Sequence, residues 1–282
     1  MGLVKIKNIA FLGYDFFYST FENLLENGYD IKWLFTNECD NKYNFNQRII
    51  YHATQLGATI SFNPISKNDI YNLIKNNCDL IIAASYPFKI PIVEGMPPAI
   101  NIHPTMLPKG RGPWPIPCTI LKGLTESGVT IHKVDASFDT GDILIQKEFS
   151  ISELDNLETL SCKSQIIASQ LCVDFLKNFE HLWLHSKPQG KGSYWKMPTF
   201  EDRELKWENS IWEINRVSRA FGKFDSLAQF DNSDWIIKDL TVWQEKHNLK
   251  VGTVAHKTNK EIVIAAIDGF VCLRFFELDL DI

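Results

Sequence analysis

Short, almost wholly apolar runs alternate with segments of helical period along the first half of this chain, and that alternation constrains the fold more than any other feature. Asn8–Gly13 (NIAFLG), Ile31–Thr36, Asp79–Ser85 (DLIIAAS) and Ala99–His103 are too short for helices and carry almost no charge. Runs that are apolar on both faces belong inside a parallel sheet covered by helices. Between them, Phe16–Asn27 spaces Phe16, Phe17, Phe21, Leu24 and Leu25 on one helical face and is closed by Gly28. Asn46–Leu56 and Asn68–Lys75 read as further helices, and Thr159–Leu184 as a long one. Val129–Val134 and Ile143–Ile151 add strands. The pattern predicts an α/β fold: a mostly parallel sheet with helices on both faces.

The texture changes after Lys187. Residues 1–187 form one expected domain. A Gly-, Lys-, Pro- and Ser-rich stretch at 188–206 is the expected linker. Residues 207–282 open with a helical segment over Trp207–Phe221 and continue in short alternating runs, which predicts a small β-rich, barrel-like domain. The net charge of -5 argues against a partner that is a nucleic acid, since phosphate binding wants a basic face. The six cysteines form no C-x-x-C pair and no zinc spacing, as expected of reduced thiols and no metal. No run is long and apolar enough to span a bilayer, so the expectation is a cytoplasmic protein without a membrane partner.

The first strand ends Gly13-Tyr14-Asp15-Phe16. Dinucleotide binding asks for three glycines here, so that backbone can approach pyrophosphate; one glycine, an acid and aromatics argue against it. A better candidate lies at the end of the fourth run. Asn101 and His103 alternate with Ile100 and Ile102 and therefore share a strand face, and Pro104 stops the strand. The loop to Pro117 holds five prolines and two glycines, so it is stiff and suited to preorganising a site. Asp139-Thr140-Gly141-Asp142 then offers a carboxylate on a turn. An amide to hold a developing oxyanion, an imidazole to move a proton and a carboxylate to orient the imidazole make an acyl-transfer set.

The stretches Asn101-Ile102-His103-Pro104-Thr105-Met106-Leu107-Pro108, Arg111-Gly112 and Asp139-Thr140-Gly141-Asp142-Ile143-Leu144 resemble the signature of folate-dependent formyltransferases. The resemblance runs from the first strand to about residue 180, with Leu205-Lys206-Trp207 and Arg219-Ala220 similar to the start of the family's C-terminal domain. It implies a Rossmann-like first domain, 10-formyltetrahydrofolate as formyl donor, no metal, and Asn101, His103 and Asp139 as the catalytic trio. It further implies a pterin site formed by Tyr86, Phe88 and Ile90 on one side and by Asp135, Phe138 and Asp142 on the other.

The acidic balance, and the aromatic Trp114 in the loop Lys109-Gly110-Arg111-Gly112-Pro113-Trp114-Pro115 where the family's tRNA enzymes commonly have a small residue, point to the sugar N-formyltransferase branch. Its acceptors are nucleotide-linked amino-dideoxy sugars, here taken as dTDP-4-amino-4,6-dideoxyglucose or a similar sugar for bacterial surface polysaccharide. In that reading Lys109 or Arg111 meets the pyrophosphate, Trp114 lines the acceptor site, and Tyr194 or Trp195 stacks on the base; the alternative for Tyr194-Trp195 is a packing anchor. A homodimer is expected. Methionyl-tRNA formyltransferase and a non-catalytic folate-binding module are the competing readings. The choice between dTDP and UDP, the sugar's stereochemistry and the position of its amine stay open.

Overall fold

The structure is a computed structural model that describes residues 5–40 and 44–278. The chain divides into two compact units. The first comprises Met1–Pro115, Glu126–Ser150 and Ser161–Trp195, the second Ile116–Thr125, Ile151–Leu160 and Lys196–Ile282.

The elements of the first part of the chain are β1 (Asn8–Gly13), α1 (Tyr18–Glu26), β2 (Asp30–Phe35), α2 (Gln47–Gln55), β3 (Thr59–Ser61), α3 (Lys67–Lys75), β4 (Leu80–Ala84) and β5 (Ala99–His103). They are followed by α4 (Pro115–Leu121), β6 (Glu126–Lys133), β7 (Ile143–Ser150), α5 (Leu157–Lys177) and α6 (Phe179–Leu184). Seven strands form one sheet in the order β3-β2-β1-β4-β5-β6-β7. The first five are parallel, whereas β6 and β7 are antiparallel. The α/β expectation therefore holds, with an antiparallel edge that apolar runs alone do not reveal.

Strand alternation divides the core. Ile9 and Phe11 of β1 face a cluster containing Phe17, Phe21, Leu24 and Phe175, while Ala10 and Leu12 face one containing Ile70, Leu73, Ile81 and Ala99. Phe11 and Phe21 meet edge to face at 5.3 Å, and each such buried side chain contributes about 1.5–3 kcal/mol. The turn after β1 binds protein, not phosphate: both Asp15 carboxylate oxygens accept from the α2 N-terminus, at Arg48 N (3.1 Å) and Ile49 N (2.9 Å).

Three boundaries differ from the sequence reading. The long helix over Thr159–Leu184 is two, α5 and α6, because Asn178 leaves helical geometry at φ −118°, ψ 23°. α4 lies inside the stretch read as loop; Pro115 is tolerated at its first position, where no helical N–H is missed. The helix expected from Trp207 begins at Ile211, as α7 (Ile211–Phe221), because Ser210 and Glu213 close a capping box there.

The second unit contains β8 (Ser226–Phe230), β9 (Ser233–Gln244), β10 (Val254–Lys257), β11 (Ile262–Ala265) and β12 (Gly269–Leu278). They form an antiparallel sheet in the order β10-β11-β12-β9-β8. Its core gathers Trp207, Ile211, Ile214, Ile237, Ile262, Ile264 and Val271. The Trp207 indole N–H donates to Gln229 O at 2.8 Å, which satisfies its polar edge. Among the described residues β8 and β10 are not paired with each other.

Candidate active site

β5 and β6 run antiparallel with Asn101 opposite His132 and His103 opposite Thr130. Directly opposed cross-strand residues are near neighbours on one face, so the register brings His132 to Asn101. The Thr130 hydroxyl donates to Thr105 O (2.6 Å) and accepts from Leu107 N (3.1 Å) and Gln146 Nε2 (2.7 Å). These bonds fasten the stiff loop after His103 to the sheet.

Asp139 is the centre of the site. Its Oδ1 lies 3.2 Å from Asn101 Nδ2, 3.4 Å from His103 Nδ1 and 3.7 Å from His132 Nε2. Its Oδ2 accepts from Gly112 N at 3.0 Å. The structure thus brings together the three residues expected to act, together with His132, which belongs to no sequence motif. Nothing in the local sequence marks His132; only its pairing opposite Asn101 does.

The hydrogen-bond partners fix the tautomers. A carbonyl only accepts, so His103 Nε2, 2.8 Å from Gly110 O, carries the hydrogen. The lone pair of neutral His103 is then on Nδ1, facing Asp139. By the same rule His132 Nδ1 donates to Lys133 O at 2.7 Å, and its Nε2 accepts from Asn101 Nδ2 at 3.0 Å. Asn101 is therefore held amide-nitrogen inward, one hydrogen toward His132 and the other toward Asp139.

Burial pushes the His103 pKa below its ordinary value, against the opposing pull of the Asp139 charge and the Gly110 carbonyl. Burial alone would raise the Asp139 carboxyl, but the His132 and His103 rings in their protonated forms, together with the Gly112 N–H, outweigh it and hold it below the ordinary carboxylate range. At neutral pH the site is a neutral imidazole beside an ionised carboxylate, poised to accept a proton at Nδ1.

The other expected positions divide. Tyr86 is buried, and its hydroxyl accepts from Ile65 N at 2.8 Å while its ring meets Phe88 edge to face at 5.4 Å. It acts as a pillar under its loop. Among the described residues Phe88 and Ile90 make no backbone–backbone hydrogen bond, which leaves main-chain edges beside apolar side chains, a combination that fits a pterin ring. Lys89 Nζ sits 5.7 Å from the centre of the exposed Phe138 ring, so the Phe88–Ile90 and Asp135–Phe138 loops face each other. Asp135 braces its own loop by accepting from Ser137 N (3.0 Å) and the Thr140 hydroxyl (2.7 Å). Asp142 accepts from the Ser186 hydroxyl (3.0 Å) and pairs with Lys133 at 3.8 Å; its side chain joins structural segments.

On the acceptor side Lys109 is exposed and Trp114 half-buried. Arg111 pairs with Tyr194 through a β-bridge, and Tyr194 is 62% exposed. Trp195 is 8% exposed, and a Cβ added to Gly110 would come within 2.8 Å of its ring. Trp195 is thus packed under the 110–112 loop, as in the packing-anchor alternative, which leaves the exposed Tyr194 as the ring available for stacking. Arg111 Nε and Nη2 both donate to Gln189 Oε1, at 3.1 and 2.8 Å. Residues 188–195, read as the start of a linker, are laced to the first unit through Gln189, Ser193 and Trp195. Among the described residues no group of three or more His, Cys, Asp or Glu is disposed to hold a metal, and no helix is long and apolar enough to cross a membrane.

Comparison with known proteins agrees with this geometry. The family model "Formyl transferase" matches residues 48–176, and "Formyl transferase, C-terminal domain" matches residues 199–279. A methionyl-tRNA formyltransferase from Rickettsia massiliae is 32% identical over 194 residues, covering 67% of this chain and 64% of the relative's own length. The expectation of no nucleic-acid partner therefore finds no support among the relatives. An N-formyltransferase from Helicobacter canadensis, crystallised with folinic acid and dTDP-3-aminofucose, superposes with TM-score 0.71 at 20% identity, over 95% of this chain and 99% of that one. HypX from Aquifex aeolicus superposes with TM-score 0.70 at 20% identity, over 95% of this chain and 45% of that one. At such identities the likeness is one of fold.

Proposed function

The chain belongs to the formyl transferase family, and from that premise we propose that it transfers a formyl group from 10-formyltetrahydrofolate to the amine of a nucleotide-linked amino-dideoxy sugar. The observation that carries the transfer chemistry is the convergence of Asn101 Nδ2, His103 Nδ1 and Gly112 N on the Asp139 carboxylate. When bound, 10-formyltetrahydrofolate supplies the electrophilic formyl carbon. Phe88 and Ile90 offer main-chain edges and apolar cover to the pterin, with Phe138 opposite. Asn101 gives the hydrogen it now directs at Asp139 to the formyl oxygen as charge develops there; one such donor is worth about 10²–10³ in rate. His103 takes the amine's proton at Nδ1 and can return it to the departing folate nitrogen as the formyl C–N bond breaks, which releases tetrahydrofolate. The resulting imidazolium lies between the Asp139 carboxylate and the Gly110 carbonyl, both of which stabilise it.

For the acceptor, the exposed Tyr194 ring offers a stacking face for a nucleobase, and the exposed Lys109 offers a cation for phosphate. The net charge of -5 disfavours a long polyanion. A methionyl-tRNA acceptor is the second reading, favoured by the 32% identical relative. The test is release of tetrahydrofolate from 10-formyltetrahydrofolate, with dTDP- and UDP-linked amino sugars in one set of assays and methionyl-tRNA in the other. Release with an amino sugar is expected. Release with methionyl-tRNA alone would transfer the assignment to the second reading, and release with neither would favour a non-catalytic folate-binding module.

A further inference from the structure

We propose that Gln189 is a positioning residue for this site: its amide ties the Arg111 loop to the turn bearing Asp139 and so aims the carboxylate at His103. The proposal rests on the reading of Asn101, His103 and Asp139 as the reacting centre.

Gln189 comes from a stretch with no motif of its own. Its Oε1 accepts from Arg111 Nε at 3.1 Å and Nη2 at 2.8 Å, and its Nε2 donates to Asp139 O at 3.0 Å and Gly141 O at 2.7 Å. A primary amide has two donor hydrogens and two acceptor lone pairs, so this side chain is fully used, and every bond goes to one of the two segments that flank the reacting groups. Only an amide can do this. A carboxylate would satisfy Arg111 but turn negative charge toward two carbonyls, and an amine would reverse the fault.

The turn needs such a tie. Asp139 has φ 58°, the left-handed region, which Asp adopts more readily than most residues but at a conformational cost that its surroundings must still offset. Gly141 lies so close to β6 that an added Cβ would come within 1.9 Å of Lys133 O. The turn is therefore pressed on the sheet at Gly141, held by its carbonyls at Gln189, and held by its carboxylate at Gly112 N (3.0 Å). Without Gln189 the left-handed residue itself loses its main-chain restraint, and the 3.4 Å separation between Asp139 Oδ1 and His103 Nδ1 is the distance that suffers. The same geometry redefines Arg111. Two of its donors point at Gln189, so it buttresses the site, which leaves the exposed Lys109 as the cation for phosphate.

The test is Gln189→Met, which keeps the stem and length but removes all four bonds, alongside Gln189→Glu and His103→Ala. The decisive reading uses substrate-free protein: the titration of the His103 ring followed by NMR. The groups facing this imidazole are Asp139, His132 and the Gly110 carbonyl. Asp139 pulls the His103 pKa upward, so letting the carboxylate swing away should shift the titration to lower pH in Gln189→Met. A packing defect elsewhere would not move it. Turnover should fall by about 10²-fold, as for a misplacement on the order of 1 Å, with the KM for the folate within about threefold. Gln189→Glu should keep the Arg111 contact yet lose turnover to a similar degree. An unmoved His103 titration in Gln189→Met would overturn the proposal whichever acceptor is used, while loss of activity in His103→Ala would leave the proposed function intact. Active His103→Ala would instead sink the reading of the reacting centre, and the titration would still decide whether Gln189 positions Asp139.

Discussion

Replacing Asp139 with Asn isolates the charge of the carboxylate. Asn is among the few residues that tolerate the left-handed region, so φ 58° at this position is preserved, and the Asn oxygen can still accept from Gly112 N. What disappears is the negative charge 3.4 Å from His103 Nδ1. With an effective dielectric constant of about 20, a full charge pair at that distance is worth about 5 kcal/mol. At about 1.4 kcal/mol per decade this caps the loss at between three and four powers of ten. The Asn dipole recovers part of the interaction, so the expected fall in kcat is about 10²–10³. The pH dependence separates this from a folding defect. Asp139 raises the His103 pKa, so removing it lets that pKa fall further, and the acid limb of the kcat profile moves to lower pH while the plateau drops. Stability should change with the opposite emphasis. The folded Asp139 carboxyl lies below its ordinary range, so its ionised form stabilises the wild-type fold above the unfolded value of about 3.9, and that contribution is lost as pH falls through the folded value. Asp139→Asn should lack this acid-sensitive component in thermal unfolding from neutral pH down to about 3. Turnover within threefold of wild type, or an acid limb displaced to higher pH, would refute the role given to the carboxylate.

Three further outcomes are expected. His132→Ala removes the acceptor that holds the Asn101 amide, and should lower kcat about tenfold to a hundredfold while leaving folate affinity, measured by fluorescence titration, nearly unchanged; a large loss of folate affinity would place His132 in binding instead. Gly112→Ala forces a Cβ to within 2.1 Å of Trp195 O at φ 126°. It should cost about 2–4 kcal/mol and lower Tm by roughly 4–12 °C by calorimetry; an unchanged Tm would mean the 112–195 approach relaxes freely. Tyr194→Ala should weaken dTDP binding about 5- to 150-fold by calorimetry, on the scale of 1–3 kcal/mol for a stacked base, with folate binding intact; equal affinity would remove Tyr194 from the acceptor site.

The parts of the fold legible in sequence are those set by local burial. β1, β4 and β5 are buried on both faces, as strands under helices must be; β1 and β4 were readable as apolar runs and β5 as a short run with its two polar residues on one face. The antiparallel turn of β6 and β7 was not, because strand direction depends on partners and leaves no local trace. The split at Asn178 escaped because the apolar spacing continues through it, and one residue at φ −118° ends α5 without a Pro or Gly. The start of α7 was there to be read: Ser210 and Glu213 stand three apart, the capping-box spacing, but the apolar Trp207 drew the boundary upstream.

The site divides along the same line, and the division has a chemical cause. Asn101, His103 and Asp139 touch the reacting atoms in the proposed transfer, so their side-chain types answer to the reaction and form motifs readable at short range. His132 and Gln189 answer to geometry. His132 matters because β6 returns antiparallel with that residue opposite Asn101; one step of register would bring Ile131 or Lys133 there instead. Gln189 matters because the chain, after α6, comes back across the first unit and pairs Lys187 with Ile143, which delivers an amide between Arg111 and the Asp139 turn. Neither placement is encoded near the residue concerned. Each also uses atoms that any side chain would meet there, the carbonyls of Lys133, Asp139 and Gly141, and so demands a donor of the right reach rather than a reactive group. A motif search tuned to reactive groups passes over such residues, although by the distances above they hold Asn101 and Asp139 in the orientation from which the reaction proceeds.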